Sequence, residues 1–278
     1  MANTIGYGQG AVNNTNGFGK APTNNTIDFG EVCADSWSPE TNLTGTGGSS
    51  FSNTYSTGYD GMDAHITTDS TYSELDGQTK ATFSFWIKPS TSHFGQIFEI
   101  ARDSTNTNTQ IRVFIDTSQK VRLQMNNTTL YLRSNNNGIT LNAWNHILFC
   151  IDKSLGGGSR GKVFVNGVDD TFVQNIDALG FDTSSSKLYI GESVNNYMPT
   201  FNGLIDEFAI WSGSDLRSDI ATIYNLGVPN NLNDNGLTAP TSWYRFEEGS
   251  GTTIADNGSS TNNATIQNSV TFETDVPT

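Results

Sequence analysis

Short runs of alternating apolar and polar residues, broken by Gly, Asn, Ser and Asp, fill the chain from about residue 55 to residue 211. In the run over residues 82–89, Phe83, Phe85 and Ile87 fall on one face of an extended chain, because successive side chains of a strand point to opposite faces. This alternation predicts strands with one buried face. The predicted strands cover residues 82–89, 96–102, 111–116, 121–125, 129–134, 144–152, 162–167, 187–192 and 203–211.

So many short strands at close spacing favour an antiparallel β-sandwich over a fold that alternates strands and helices. One short helix is predicted over residues 214–227, where Leu216, Ile220 and Ile223 share one helical face and Gly227 marks the end. We expect this helix to cover an open end of the sandwich. The predicted fold class is therefore all-β with one short helix.

An aromatic residue recurs at a fixed interval near the start of the chain. Tyr7, Phe18 and Phe29 lie 11 residues apart, and each is followed by Gly within a Gly- and Asn-rich repeat. Because so short a repeat cannot bury its own apolar side chains, it needs a partner surface. We therefore predict an extended N-terminal docking arm over residues 1–45 and a main domain over residues 46–278. A low-complexity linker is the alternative for the arm.

Charge and cysteine content exclude several classes of protein. The chain has 278 residues, a net charge of −14 and only 14 Lys and Arg residues, whereas binding to nucleic acid requires clustered positive charge. We therefore expect no nucleic-acid partner. Cys33 and Cys150 are too few for a disulfide framework. No apolar run approaches about 18 residues, so we expect no membrane insertion. The first residues lack the features of a secretory leader, which indicates synthesis in a cytoplasm.

Four segments in the order found here resemble the laminin-G-like and pentraxin-like jelly rolls of the concanavalin A lectin/glucanase superfamily. They are "YSTGYDGMDAHI", "FSFWIKP", "AWNHILFCID" with "GKVFVNG", and "FNGLIDEFAIW", and the resemblance spans about residues 55–227. It implies an antiparallel jelly-roll β-sandwich. Residues 243–272 are similar to the segment that precedes the opening strand in related domains, so we expect C-terminal strands, at about 242–278, to complete the sandwich. The alternative is a strand donated to a neighbouring subunit, and we expect a homo-oligomer.

The N-terminal repeat resembles the starts of virion proteins in marine tailed phages, where lectin-like jelly rolls decorate heads or form tail and collar appendages. This resemblance implies a non-enzymatic virion structural protein that is assembled in the host cytoplasm and lies on the virion surface. The arm would bind other virion proteins, and the lectin-like domain would face outward and bind host-surface glycans. The alternatives are an extracellular calcium-dependent carbohydrate-binding lectin module and a glycoside hydrolase.

Acidic residues give little support to catalysis. Glucanases of this superfamily carry a Glu-x-Asp-x-x-Glu trio on one strand, and that spacing does not occur here. The adjacent pair Asp206 and Glu207 is expected to point to opposite faces of its strand, so only one of the two side chains would reach a shared site. His65, His93 and His146 lack the spacing of a zinc site. We expect no enzyme.

Calcium is the cofactor that the resemblance implies, since relatives hold it near the opening strand and near the strand that carries Ile-Asp-Glu. This nominates Asp60, Asp63 and Asp206, with Asp256 joining if the C-terminal segment packs alongside. Carboxylate and carbonyl oxygens are the ligands that calcium prefers. The alternative is that Asp60 and Asp63 are turn residues and that Asp206 bonds to the backbone.

Sugar binding requires exposed aromatic rings beside hydrogen-bonding groups. Phe94 and Tyr197 lie in predicted loops and are the candidate carbohydrate-binding residues. Trp86, Trp144 and Trp211 lie in strands or at strand ends, so we expect them in the core.

Overall fold

The computed structural model describes residues 51–90, 94–102, 109–125, 131–136, 138–194, 198–234 and 236–278, without the side chains of 109 and 173–175. The predicted arm over residues 1–45 lies outside these residues. The strands are, in chain order, β1 Ser56–Asp60, β2 His65–Thr68, β3 Lys80–Pro89, β4 Gly95–Ala101, β5 Thr109–Ile115, β6 Val121–Met125, β7 Tyr131–Ser134, β8 Asn145–Asp152, β9 Gly161–Val165, β10 Val168–Asp169, β11 Thr171–Asn175, β12 Lys187–Ile190, β13 Asn202–Ser212, β14 Ser242–Tyr244, β15 Thr253–Ile254, β16 Ala264–Gln267 and β17 Thr271–Glu273.

Two antiparallel sheets are formed by these strands. Sheet A has eight strands in the order β10-β9-β8-β3-β13-β1-β17, with β14 also paired to β13. Sheet B has nine strands in the order β11-β7-β6-β5-β4-β12-β2-β16-β15. The predicted antiparallel jelly-roll β-sandwich is confirmed. Within the described residues one α-helix occurs, α1 (Ile220–Tyr224), which is shorter than the predicted helix and is followed by a 3-10 turn over Asn225–Gly227.

Aromatic side chains from both sheets fill the space between them. Phe83, Phe85 and Ile87 of β3 are fully buried, as their alternation predicts. The ring of Phe98 on β4 lies edge-on to Phe85 at 5.7 Å and to Phe208 of β13 at 5.0 Å between centroids. Aromatic pairs in this geometry contribute about 0.5–1.5 kcal/mol each beyond the burial of their surface. The packing fixes the two sheets relative to each other, so that the outer face of each keeps a defined shape.

The C-terminal segment pairs with the first two described strands and with β13. Within one chain, β17 lies beside β1, β16 beside β2 and β14 beside β13, all antiparallel. The expected completion of the sandwich by C-terminal strands occurs here within one chain, and strand donation to a neighbouring subunit stays an alternative prediction. Among the helices that the structure describes, none is long and apolar enough to span a membrane.

Candidate functional site

A row of arginine and aromatic side chains crosses four neighbouring strands on the outer face of sheet B. Phe114 of β5 is opposite Arg122 of β6, Arg122 is opposite Arg133 of β7, and Arg133 is opposite Phe172 of β11. The neighbours of these residues along each strand, such as Val113 in β5, point into the core. Because successive side chains of a strand point to opposite faces, the four side chains that lie opposite one another here point away from the core. We call Phe114, Arg122, Arg133 and Phe172 the arginine–aromatic row.

Rings hold both guanidinium groups of the row in place. The Cζ atom of Arg122 lies 5.7 Å from the ring centroid of Phe114 and 4.5 Å from that of Tyr131. The Cζ atom of Arg133 lies 4.4 Å from the centroid of Phe172. Distances below about 6 Å allow the cation–π attraction between a guanidinium and a ring face. The two arginines are therefore fixed as a flat, partly exposed surface.

Phe94, one of the two residues predicted to bind carbohydrate, lies next to the row. Its ring is half-buried and packs edge-on against Phe114 at 5.7 Å between centroids. The second, Tyr197, lies outside the described residues. Arg122, Arg133 and Phe172 were not predicted from the sequence, although polar residues at alternate positions of β6 and β7 are a signal for an outward face.

The row carries more positive charge than its neighbours neutralise. Arg122 and Arg133 face each other directly across β6 and β7, and like charges in that position destabilise a sheet. One oxygen of Asp116 lies 3.3 Å from Arg122, while the other accepts hydrogen bonds from two backbone N–H groups. Among the described atoms, the Nε atoms of Arg122 and Arg133 are buried and have no hydrogen-bond partner. The outer face therefore presents two guanidinium groups that the described carboxylates only partly neutralise, beside aromatic rings.

A buried ion pair lies near the row on the same sheet. Glu99 and Arg112 are almost fully buried, with 3.5 Å between Oε2 of Glu99 and Nε of Arg112. Burial raises the pKa of Glu99, and hydrogen bonds from Val194 and Ser193 oppose that shift. Both members of the pair are thus held within the sheet.

The first two aspartates nominated for calcium belong to the turn after β1. Oδ1 of Asp60 accepts hydrogen bonds from the N–H groups of Met62 at 2.8 Å and Ala64 at 3.4 Å. Asp63 is exposed, and its carbonyl oxygen accepts a hydrogen bond from the Asn268 amide at 2.9 Å. Both residues behave as the turn residues of the alternative interpretation.

The other two aspartates have their oxygens occupied by protein donors. Asp206 is fully buried and accepts hydrogen bonds from Nδ2 of Asn53 and the N–H of Glu207, each at 2.9 Å. Asp256 accepts hydrogen bonds from three backbone N–H groups and the Ser260 hydroxyl. In the part of the chain that the structure describes, no three His, Cys, Asp or Glu side chains form a group that could hold a metal ion. No three of Asp60, Asp63, Asp206 and Asp256 form such a group among these residues, and their assignment to calcium stays a prediction.

The expectation that Asp206 and Glu207 point to opposite faces is wrong. The register of β13 against β3 shifts between Asp206 and Ala209, and Glu207 has a φ of 48°. This β-bulge breaks the alternation, so both carboxyl groups lie on the outer face of sheet A. Burial raises the pKa of both groups. Glu207 accepts hydrogen bonds from Nε1 of Trp243 at 2.6 Å and Nε of Arg245 at 3.2 Å.

A serine–histidine pair lies close to Glu207 but is enclosed. Ser84 Oγ and His146 Nε2 are 2.9 Å apart, and with Glu207 they line a cavity of about 10 Å³ under Ile223 of α1. Burial lowers the pKa of His146 to about 3, so the ring is neutral. A cavity of this size holds about one water molecule. It has no room for a sugar ring, so these groups are not accessible to a saccharide.

A second cleft, on the outer face of sheet A, is lined by aromatic side chains. Trp86, Trp144 and Tyr224 line about 340 Å³ of space there, and Leu226 beside them is 95% exposed. Trp86 and Trp211 are buried as expected, whereas Trp144 is half-buried and donates a hydrogen bond from Nε1 to Asp275 at 2.9 Å. The residues that line this cleft include no arginine, in contrast to the outer face of sheet B.

Two antiparallel sheets with a polar and aromatic outer face define a lectin-like domain. The family described as the concanavalin A-like lectin/glucanases superfamily, of the laminin G type, matches residues 60–221, which is more than half of the chain. This protein belongs to that family. No curated protein sequence matches the chain.

Several solved structures are similar to this chain. One is a native heptameric SAP-like pentraxin from Limulus polyphemus, with 18% identity over 62% of this chain and 82% of that chain and a TM-score of 0.49. Another is domain 4 of AbnA, a GH43 extracellular arabinanase from Geobacillus stearothermophilus, with 22% identity over 59% and 74% of the two chains and a TM-score of 0.42. A third is the CBM40 of Ruminococcus gnavus IT-sialidase, with 15% identity over 62% and 98% and a TM-score of 0.46.

Proposed function

We propose that this protein is a non-enzymatic carbohydrate-binding protein whose sandwich domain binds sugars on the outer face of sheet B. The observation that carries the proposal is the arginine–aromatic row, together with Phe94 beside it. A pyranose presents one C–H face that packs on an aromatic ring and a rim of hydroxyl groups that accept hydrogen bonds. Phe172 and Phe94 supply partly exposed rings, and Arg122 and Arg133 supply donors between them.

Binding without bond cleavage is supported by the state of the carboxyl groups near the row. Glycosidases require two carboxyl groups on either side of the scissile bond, one of them free to donate a proton. Asp116 is held by Arg122 and by backbone N–H groups, and Glu99 is buried in a pair with Arg112. Neither is presented to a sugar as a free acid. The buried pair of Asp206 and Glu207 lies on the other sheet.

A glycan array probed with the full chain, followed by calorimetry on each hit, tests this proposal. Phe172→Ala removes a half-buried ring from the row, and we expect about a tenfold loss of affinity, typical of one stacking contact. Tyr224→Ala is the matched control, because it removes a half-buried aromatic on the side of sheet A. The proposal fails if no saccharide binds, or if Phe172→Ala binds as tightly as the control.

As a second part of the proposal, we place the protein on the surface of a phage virion, where host-surface glycans would be its ligands. The 11-residue spacing of Tyr7, Phe18 and Phe29 supports this role, since a regularly repeated aromatic suits a segment that binds other virion proteins. Deletion of residues 1–45 is expected to abolish incorporation into particles while the circular-dichroism spectrum of the main domain stays the same. Normal incorporation of the deleted protein would contradict this placement.

A further inference from the structure

Two arginines face each other across adjacent strands in a chain whose net charge is −14. Such a chain has many carboxyl groups, any of which could neutralise a pair of guanidinium groups. Yet the described carboxylate that contacts the pair, Asp116, reaches only Arg122, and it does so with one oxygen at 3.3 Å. Within the described residues Arg133 forms no ion pair, and its guanidinium lies over Phe172. The pair thus lacks the anion that its geometry calls for.

The geometry points to an acidic saccharide as the ligand of the arginine–aromatic row, with one carboxylate or sulfate group bound between Arg122 and Arg133. This inference rests on the proposed function and specifies the chemical class of the sugar. An anionic group placed there would offset the repulsion between two like charges that lie directly opposite each other. It would also accept charge-assisted hydrogen bonds from two planar donor groups, a geometry that suits carboxylate and sulfate oxygens.

The aromatic neighbours make both guanidinium groups ready to bind. Arg122 is held between Phe114 and Tyr131, and Arg133 lies over Phe172, so little side-chain freedom remains to be lost on binding. Phe172 and Phe94 lie at the two ends of this surface and can contact the uncharged rings of the same saccharide. A sugar acid can contact both the arginine pair and the aromatic rings beside it, whereas a free inorganic anion can contact only the arginines.

The overall charge of the protein limits the ligand to isolated anionic groups. A chain with a net charge of −14 repels a densely charged polyanion at long range, whereas a single carboxylate or sulfate gains from the two nearby arginines. Nucleic acids are disfavoured for the same reason. The expected ligands are therefore saccharides with a sugar acid or a sulfate ester at one position.

Calorimetry on the full chain with charge-matched probes tests the inference. A galacturonate oligosaccharide is compared with its methyl ester, which has nearly the same shape without the charge, and a sulfated galactan oligosaccharide with its desulfated form. We expect at least tenfold tighter binding of the charged member of one pair. The affinity of that charged member should fall as salt is raised, because salt screens partly exposed charges. The pair in which the charged member binds more tightly shows whether the bound group is a carboxylate or a sulfate.

Variants locate the effect at the pair. Arg133→Gln should lose about tenfold in affinity for the charged probe, which corresponds to about 1.4 kcal/mol in the free energy of binding. Its affinity for the uncharged probe should change little. Arg133→Lys keeps the charge without the planar donor group and should fall in between. Lys187→Gln is the control, because it removes the same charge from sheet B at a side chain bonded to the Asp69 carbonyl. A loss of affinity in Lys187→Gln equal to that in Arg133→Gln would overturn the inference.

The outcomes separate this inference from the proposed function. If charged and uncharged probes bind equally and Phe172→Ala weakens both, the face binds sugars but the acidic class is wrong. If neither the probes nor any arrayed glycan binds, the proposed function fails and the inference fails with it. The comparison of acid and ester on the wild-type protein needs no variant, so it holds even if Arg133→Gln does not fold.

Discussion

Asp256 is the residue whose replacement best separates a hydrogen-bonding role from a calcium-binding role. Its Oδ1 accepts hydrogen bonds from the N–H groups of Trp243 and Gly258, each at 2.8 Å. Its Oδ2 accepts one from the N–H of Asn262 at 3.0 Å and another from the Ser260 hydroxyl. These four donors come from β14 and from the loop that leads to β16. One carboxylate therefore ties together the segment that completes both sheets.

Asp256→Asn changes this site with almost no change in shape. The amide nitrogen of Asn can replace Oδ2 and donate to the Ser260 hydroxyl, but it leaves the buried N–H of Asn262 without an acceptor. An unsatisfied buried donor costs about 1–3 kcal/mol in the free energy of unfolding. Asp256→Ala leaves three backbone N–H groups without their acceptor, for which we expect a loss on the order of 4 kcal/mol.

Urea unfolding followed by tryptophan fluorescence, with excess calcium and then with excess chelator, measures both roles. If Asp256 acts only through hydrogen bonds, the midpoint of the wild-type protein is the same in the two conditions and the loss in Asp256→Asn is unchanged by calcium. A site filled at 100 times its Kd would instead stabilise the wild-type protein by about 2.7 kcal/mol. Calcium-dependent stability in the wild-type protein that is absent from Asp256→Asn would refute our account.

Three further predictions concern stability. Because burial lowers the pKa of His146 to about 3 while the unfolded residue takes up a proton below about pH 6.5, stability is lost as pH falls. In urea titrations the advantage of the wild-type protein over His146→Gln should shrink by roughly 3 kcal/mol from about pH 7 to about pH 4, and a constant difference would contradict this. Gly203 has a φ of 145°, and a Cβ there would overlap the Lys88 carbonyl oxygen, so Gly203→Ala should cost at least about 2 kcal/mol by urea unfolding. The control is Gly251→Ala, where φ is 89° and no atom lies within 4 Å; equal losses would rule out the overlap. Removal of residues 270–278 deletes β17, and we expect a loss of about 3 kcal/mol or more and a lower Tm by calorimetry, whereas an unchanged Tm would show that β1 needs no partner there.

The long strands could be predicted from the sequence, whereas some of the short strands could not. Alternation over residues 82–89 identified β3, because a strand with one buried face shows a period of two. β11 (Thr171–Asn175) was not predicted, since a five-residue run after a turn carries little periodicity. Missing β11 also removed Phe172 from consideration. The predicted helix was too long at both ends, because α1 begins only at Ile220 and the left-handed conformation of Asn225 (φ 46°) ends it after Tyr224.

The site was harder to predict because it depends on strand register. Phe94 could be proposed from its position in a loop, but the opposition of Arg122 and Arg133 exists only once β6 and β7 are paired. A shift of one residue would have placed one arginine in the core. The β-bulge at Glu207 has the same character, since a single extra residue reversed the predicted direction of a carboxyl group.

Pairing between strands that are distant in the sequence affects how the protein folds during its synthesis on the ribosome. Thr57 of β1 lies opposite Phe272 of β17, and Ile66 of β2 lies opposite Ile266 of β16. At translation speeds of about 5–20 residues per second, β1 waits roughly 10–40 s before β17 is even synthesised. Once β12 and β13 are made, β2 and β1 can each pair along one edge, but their other edges stay exposed to other chains until β16 and β17 follow. Timely production of this protein therefore depends on how well its newly made N-terminal strands are shielded until translation reaches their partners.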